Sequence, residues 1–407
     1  MTGVRKIRGG ALLARALKEK GIEHVFTLSG GFCNPALEGF MECQMKVVNC
    51  PHEQVAGHLA DGHTRITRKP AVCLVGPEGF ANAVPAMMEA WGERSPVIFV
   101  TGSSTLKRQG AGGFKEIDDV AIAGPLTKYS VSITDGERIG EFVDRAYKTA
   151  INGYPGAFLD ALVSIGDAAR DGRDAAWLER NRQRRSEWVA KTHADVDAEA
   201  STAEFGGRIH PLHLALDVQQ AMQDDDWLVI DGGNTHFWSE IAVNMAGFEG
   251  RKLGGVLHPG TFSLLGVGVS FALSAKNLNP DKNVVLISGD GAFLSGGLSI
   301  ETAFQENRPI TVVIDNNGGL DCISQQQERL FESGRHFATD FRDIPFHTMF
   351  EGLGGHGELV TRREDIIPAM KRAFASGKTA CVNVKAKGVI SPIVLATTSK
   401  RDKASIE

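Results

Sequence analysis

The sequence lacks an apolar run of the roughly 18 or more residues that a membrane-spanning helix needs, so membrane insertion is not expected. Its six cysteines include no Cys-x-x-Cys pair, which argues against a structural zinc ribbon and favours buried free thiols in a reducing cytoplasm. Positive charge is not in excess, because 49 Asp and Glu outweigh 44 Lys and Arg. That balance disfavours a nucleic-acid partner. We therefore expect a cytoplasmic globular protein.

What the sequence does contain is a repeated alternation of short apolar runs with helix-like segments. Strand-like runs are AVCLVG and PVIFVTGS in the first half, and DWLVIDGG, NVVLISGDG and PITVVIDNN in the second. Short apolar strands that alternate with helices indicate parallel sheets with helices on both faces. The predicted fold class is α/β, with two doubly wound parallel-sheet domains.

A charged stretch without strand signals separates the two halves and reads as a linker with one solvated helix. We predict a first domain over residues 1–166, a linker over 167–207, a second domain over 208–395 and a polar tail over 396–407.

Two polar motifs follow neighbouring strands of the second domain. Gly289-Asp290-Gly291 ends one predicted strand, and Asn316-Asn317 ends the next. The carboxyl ends of parallel strands are where open α/β sheets bind ligands, and glycines let the backbone approach a phosphate. Carboxylate and amide oxygens suit Mg²⁺. Either motif alone favours an ordinary surface turn, but their joint spacing favours a phosphate and magnesium site.

This pair of motifs resembles the diphosphate-binding signature of thiamine-diphosphate-dependent enzymes. The resemblance implies thiamine diphosphate and Mg²⁺ as cofactors, with the side chains of Asp290 and Asn317 and the carbonyl of Gly319 as metal ligands. It also implies that Leu265 supports a bent cofactor and that the Ser263 carbonyl accepts a hydrogen bond from its aminopyrimidine. The full set of cofactor-binding residues implied in this way is Gly233, Asn234, Thr235, Ser263, Leu265, Gly289, Gly291, Ala292 and Phe293.

The first half resembles the pyrimidine-binding domain of the acetolactate synthase and benzaldehyde lyase group, above all in VVNCPHEQVAGHLADGHTRIT. The resemblance implies that Glu53 is the catalytic glutamate that acts on the pyrimidine ring. Considered alone, Glu53 reads as a solvated carboxylate at a helix start. The group builds each site from two subunits, which implies a homodimer or a dimer of dimers with active sites at the subunit interface. The linker is too short for the central domain of most relatives, so neither flavin nor nucleotide is expected.

Residues that could line a substrate pocket are less clearly marked. Lys115 would favour an acidic substrate such as a 2-oxo acid, and an ordinary surface lysine is the alternative. Cys322 has no evident base beside it, so packing is the favoured interpretation. The complete set of pocket residues that we predict is Ser29, Phe32, Lys115, His236, Trp238, Gln325 and Gln326.

Two motifs that would indicate other functions are each excluded by one residue. A zinc-protease pattern starting at His52-Glu53 would need histidine where Ala56 stands, and a dinucleotide fingerprint at Gly266 would need glycine where Phe271 stands.

The function that these features predict is thiamine-diphosphate-dependent cleavage or formation of a carbon–carbon bond next to a carbonyl. The leading version is 2-oxo acid decarboxylation with or without carboligation, as in acetolactate synthases, and so a lyase or transferase reaction on a small carbonyl substrate. The alternatives are a 2-hydroxy ketone or 2-hydroxyacyl lyase of the benzaldehyde lyase type and, from other classes, a non-catalytic cofactor-binding module or a nicotinamide dehydrogenase.

Overall fold

The fold is taken from a computed structural model, which describes residues 7–102, 110, 115–152, 175–331 and 336–398. The chain divides into an N-terminal unit, Met1–Val163 with Pro259–Leu264, and a C-terminal unit, Ser164–His258 with Leu265–Glu407. The apolar segment AFLDALV, residues 157–163, whose composition predicts another strand, lies outside the described residues, as does the end of the tail.

The N-terminal unit contains a parallel sheet of four strands in the order β2-β1-β3-β4. The strands are β1 His24–Thr27, β2 Lys46–Asn49, β3 Ala71–Val75 and β4 Val97–Thr101. Its helices are α1 Gly9–Glu19, α2 Asn34–Glu42, α3 Glu53–Thr67, α4 Pro77–Asn82, α5 Val84–Gly92, α6 Asp119–Ala123 and α7 Ile139–Ile151.

Continuous apolar composition puts β3 inside this sheet, and every one of its five residues is buried. Helices α1 and α2 approach each other at glycines. A Cβ atom at Gly10 would lie 1.6 Å from the carbonyl oxygen of Pro35, and one at Gly39 would lie 2.3 Å from that of Gly10. Any larger residue at these two positions would push the helices apart.

The C-terminal unit contains a parallel sheet of six strands in the order β6-β5-β7-β8-β10-β9. The strands are β5 Trp227–Asp231, β6 Gly255–Leu257, β7 Val284–Gly289, β8 Thr311–Asn316, β9 His356–Val360 and β10 Ala380–Lys385. Its helices are α8 Ala175–Ala200, α9 Pro211–Ala221, α10 Asn234–Phe248, α11 Gly268–Leu278, α12 Asp290–Gly296, α13 Glu301–Gln305, α14 Asp321–Phe331, α15 Phe346–Gly352, α16 Ile366–Ala375 and α17 Pro392–Thr398.

Helix α8 corrects one expectation about the linker. It was expected to be solvated, and most of its length is exposed, but Val189 and Val196 are buried in the same hydrophobic cluster as Leu212 of α9 and Ile230 of β5. The helix therefore contributes to the core of the C-terminal unit.

The fold-class prediction is confirmed: both units are α/β and both sheets are entirely parallel. Within the residues that the structure describes, every helix is too short or too polar to cross a bilayer.

Candidate functional site

The ends of β7 and β8 place the predicted metal ligands of the C-terminal unit at one edge of the sheet. The two strands pair in parallel with Gly289 opposite Asp315, so Asp290 follows one strand and the asparagine pair follows the other. Asp290 Oδ2 accepts hydrogen bonds from the backbone N–H groups of Gly318 at 2.8 Å and Gly319 at 3.1 Å. The predicted ligands Asp290, Asn317 and Gly319 are thus brought together.

Asp290 is almost fully buried, with 2 % of its surface exposed. Burial raises the pKa of its carboxyl to about 6, although hydrogen bonds from the N–H groups of Gly318, Gly291 and Gly319 oppose the rise. A cation beside this carboxylate would favour its charged form.

Among the described residues, the side-chain nitrogen of Asn317 has a hydrogen-bond partner and its side-chain oxygen has none. Its Nδ2 donates to Asp321 Oδ1 at 3.2 Å, whereas its Oδ1 is buried with no hydrogen-bond partner among the described residues. A buried polar oxygen without a partner is unfavourable, and a divalent cation would satisfy it. The donor set of carboxylate, amide and carbonyl oxygens therefore fits Mg²⁺.

The turn between β5 and α10 lies against the same strand ends. Gly232 has a φ of +135°, and a Cβ on it would lie 3.2 Å from the Gly289 nitrogen. Thr235 Oγ1 donates to Asp315 Oδ2 at 2.8 Å. A Cβ on Gly233 would lie 3.1 Å from Cys322 Cβ. Small residues thus let this turn pack closely beside the predicted diphosphate segment.

The predicted segment 289–293 forms the end of β7 and the first turn of α12. A Cβ on Gly291 would lie 2.6 Å from a terminal methyl group of Leu320, so a larger residue there would displace that side chain. Ala292 is buried, and the Phe293 ring packs edge-on against Phe346 with ring centres 5.6 Å apart. The Phe293 side chain therefore belongs to the core, and only its backbone is available to a cofactor.

The two residues expected around the aminopyrimidine fall in different units. Ser263 is exposed, has a φ of +57° and belongs to the N-terminal unit. Leu265 is half-buried in the C-terminal unit. Asp231 holds the segment that follows, since its Oδ2 accepts from the N–H groups of Gly266 at 3.0 Å and Gly268 at 2.8 Å.

Glu53 is the first residue of α3 and only 8 % of its surface is exposed, so it is not the solvated carboxylate that its position alone suggests. Asn82 Nδ2 donates to Glu53 Oε2 at 3.0 Å. Gly79 packs against the same side chain, because a Cβ there would lie 2.5 Å from Glu53 Oε1. The carboxylate is held in place from two sides.

Three predicted pocket residues lie in the N-terminal unit. Ser29 is exposed, and its N–H donates to Asn49 Oδ1 at 3.4 Å. Phe32 is half-buried. Lys115 is exposed and forms an ion pair with Glu78.

The other four predicted pocket residues lie in the C-terminal unit, and each forms a hydrogen bond with another residue of that unit. Trp238 is buried, and its Nε1 donates to the carbonyl of Val389 at 2.9 Å, which assigns it to the core. His236 is buried with Nε2 3.1 Å from Glu240 Oε1. Gln325 Oε1 accepts from Asn234 at 3.2 Å, and Gln326 donates to Cys322 Sγ at 3.4 Å.

Burial raises the pKa of the Cys322 thiol to about 11. The thiol therefore stays protonated at neutral pH, in keeping with a packing role.

Three side chains of the site were missed by the sequence reasoning. Asn82 orients Glu53, Asp315 accepts from Thr235, and Asp321 binds the amides of Asn234 and Asn317. The contacts of Asn82 with Glu53 and of Asp321 with Asn234 join residues far apart in the sequence, so neither contact carries a local signal. A polar residue within the apolar strand β8 was the one available hint for Asp315.

A cavity of about 1360 Å³ in the N-terminal unit is lined mainly by apolar residues of β4, α7 and residues 116–133. Glu53 is not part of its lining, so volume alone does not locate the predicted chemistry.

Comparison with known families matches both units. The profile of the thiamine pyrophosphate enzyme N-terminal TPP binding domain matches residues 7–122, and that of the C-terminal TPP binding domain matches residues 231–384.

Full-length relatives are similar over nearly the whole chain. A probable acetolactate synthase of Mycobacterium bovis is 24 % identical, with 93 % of this chain and 95 % of the relative covered. The catabolic acetolactate synthase of Raoultella terrigena is 21 % identical over 90 % and 92 %, and 2-hydroxyacyl-CoA lyase 2 of Danio rerio is 21 % identical over 92 % and 91 %. The alignment with the Mycobacterium bovis protein spans 534 positions, far more than the 407 residues of this chain. The expected absence of a central domain is confirmed.

Proposed function

This chain belongs to the thiamine pyrophosphate enzymes, and we propose that it decarboxylates a 2-oxo acid, with or without joining the product to a second carbonyl compound. The observation that supports the proposal best is the arrangement of groups at the metal site. Asn317 Oδ1 is buried with no hydrogen-bond partner among the described residues, and the same loop donates two N–H groups to the Asp290 carboxylate. The similarity to two acetolactate synthases over most of the chain supports the reaction class.

The metal and cofactor would be held by the C-terminal unit. Asp290, Asn317 and the Gly319 carbonyl would bind Mg²⁺, and the backbone of residues 233–235 and 289–293 would hold the diphosphate. Thiamine diphosphate, when bound, supplies the nucleophilic carbon and the electron sink for the reaction.

Glu53 is proposed to hold and move the proton at the pyrimidine ring. Its burial excludes water from the carboxylate, and Asn82 fixes one oxygen without adding a charge. A positioned carboxylate of this kind is suited to general acid–base work. Gly79 permits the same placement, because a larger residue there would occupy the space that the Glu53 side chain fills.

Lys115 bears on the substrate class. It is exposed beside Glu78, so an acidic substrate would have to compete with that carboxylate for the ammonium group. We propose that a 2-oxo acid carboxylate does so.

The second candidate function is cleavage of a 2-hydroxyacyl or 2-hydroxy ketone compound. The similarity to 2-hydroxyacyl-CoA lyase 2 of Danio rerio over 92 % of this chain favours it. Both candidates use the same Glu53 and the same metal ligands.

The test is to incubate the protein, loaded with thiamine diphosphate and Mg²⁺, with a panel of 2-oxo acids, aldehydes and 2-hydroxy ketones and to identify products by mass. Release of CO₂ from a 2-oxo acid is expected, and an Asp290→Asn variant should lack it. Cleavage of hydroxy ketones without any decarboxylation would replace the first candidate by the second. No product from any panel member, in a protein that binds the cofactor, would contradict both.

A further inference from the structure

Asp321 connects the two turns of the candidate site. It is the first residue of α14, and its Oδ1 accepts from Asn317 Nδ2 at 3.2 Å while its Oδ2 accepts from Asn234 Nδ2 at 2.9 Å. Asn317 follows β8, whereas Asn234 begins α10, 87 positions before Asp321 in the sequence. One carboxylate thus contacts an amide on each of the two turns.

The contact with Asn317 determines which end of that amide faces the metal position. An amide group carries two donors on nitrogen and an acceptor on oxygen. Because Nδ2 is turned to Asp321, Oδ1 is turned away from it, and Oδ1 is the buried atom without a partner among the described residues. Rotation by half a turn would point Oδ1 at the carboxylate, which has no proton to donate when it is ionised.

The orientation of Asn234 is fixed in the same way from both of its ends. Its Nδ2 donates to Asp321 and to Gln325 Oε1, and its Oδ1 accepts from the N–H of Ser391 at 3.1 Å. Asn234 therefore offers Asp321 only donors, as Asn317 does. A carboxylate is the group that can accept from two amide nitrogens at once, since both of its oxygens are acceptors.

An ordinary helix-start role does not account for this arrangement. An acidic residue in the first turn of a helix commonly binds backbone N–H groups there. The N–H of Cys322 does interact with the Asp321 carboxylate, but both oxygens also accept from side chains of other segments. A solvent-exposed acid would serve a cap equally well, whereas Asp321 lies between two polar turns.

We infer that Asp321 is a positioning residue whose carboxylate holds the Asn317 amide with its oxygen presented to the divalent cation and ties that amide to Asn234. The inference rests on the proposed function, in which Asn317 is a ligand of Mg²⁺. It extends that proposal to a residue that binds neither metal nor cofactor itself.

The central test is Asp321→Asn, which keeps the size and shape of the side chain. The new amide has one acceptor, so it can satisfy only one of the two neighbouring nitrogens, and its own nitrogen favours a reversed Asn317. Loss of a group that orients a metal ligand typically weakens metal binding by about 10- to 100-fold. We expect a loss of this size when Mg²⁺ is titrated calorimetrically into protein saturated with thiamine diphosphate.

A second substitution separates orientation from charge. In the double variant Asp321→Asn/Asn317→Asp, the carboxylate moves to position 317, where one oxygen can accept from the new amide and the other can bind the metal. We expect this variant to regain most of the lost Mg²⁺ affinity. Asp365→Asn, which removes a charge from the exposed pair with Arg362, is the matched control and should bind Mg²⁺ as the wild type does.

The unfolding temperature without metal or cofactor controls for folding and should be similar in all these variants. Wild-type Mg²⁺ affinity in Asp321→Asn, or a double variant no better than the single one, would overturn the inference. The premise is checked by Asn317→Ala: if this variant binds Mg²⁺ normally, Asn317 is not a ligand, and both the ligand assignment and the role of Asp321 are wrong. If Asn317→Ala loses Mg²⁺ but Asp321→Asn does not, only the role of Asp321 fails.

Discussion

In the N-terminal unit, the proposed catalytic residue Glu53 is buried at the start of α3 and accepts a hydrogen bond from Asn82. In Glu53→Gln the amide oxygen can still accept from Asn82, so the side chain should stay in place. The amide cannot exchange a proton, and loss of a general acid–base group costs about 10²- to 10⁴-fold in rate. We expect turnover to fall by that factor while thiamine diphosphate still binds, as measured by steady-state rates and calorimetry.

Glu19→Gln, at an exposed position of α1, is the control. Equal turnover in the two variants would show that Glu53 has no part in the mechanism.

Gly79 provides a separate test of how closely Glu53 must be positioned. A Cβ in Gly79→Ala would lie 2.5 Å from both Cγ and Oε1 of Glu53 and must displace that side chain. A misplacement of about 1 Å can cost 10²-fold in rate, so we expect at least a tenfold fall in turnover.

The matched control is Gly140→Ala in α7, where the added Cβ meets no atom within 4 Å among the described residues. This substitution should leave turnover unchanged and, since alanine favours helix, should not lower stability. If Gly79→Ala is as active as Gly140→Ala, the tight packing around Glu53 has no role in the reaction.

At the level of elements, the strands were the part of the fold that the sequence marked best. β7 and β8 are fully buried parallel strands, and such strands are continuous apolar runs. Asp290 and Asn317 could be paired from sequence because they directly follow these strands. Asp321 could not, because an aspartate at the start of a helix is an ordinary cap and its partner Asn234 is brought near only by the folded sheet.

The start of α9 gives a prediction about pH. His210 is buried, and its Nδ1 accepts from the N–H of Leu212 at 3.0 Å. Burial, and to a smaller extent the neighbouring His213, lower the pKa of His210 to about 3. A pKa that is lower in the folded state gives stability that is present above the unfolded value of about 6.5 and is lost as the pH falls below it.

We therefore compare the wild type with His210→Asn, which keeps a capping acceptor but does not titrate. Between pH 7 and pH 5 the wild type should lose about 2 kcal/mol more of its free energy of unfolding than the variant, since 1.5 pH units at 1.36 kcal/mol each give about this value. Urea unfolding at the two pH values measures the difference. Identical losses in both proteins would show that His210 is not protonated on unfolding in this range.

For the whole molecule, the resemblance to the acetolactate synthase and benzaldehyde lyase group predicts that two copies of the chain build each active site, with Glu53 from one copy and Asp290 from the other. Subunits carrying Glu53→Gln can be paired with subunits carrying Asp290→Ala through two affinity tags. A shared site predicts that such a heterodimer has one intact site of two, and so about half of the wild-type turnover. A site made within one chain predicts none, because each subunit would then carry one defect.

The burial of Val189 and Val196 bears on where the protein can be divided. Each buried valine contributes about 1.5 to 3 kcal/mol relative to exposure. A fragment that begins at residue 208, the predicted domain start, would lack both valines. The apolar surface that they cover would then be exposed to water. A fragment that begins before Ala175 contains all of α8 and keeps this surface buried. The N-terminal boundary of an expressed C-terminal unit therefore belongs before α8, not after it.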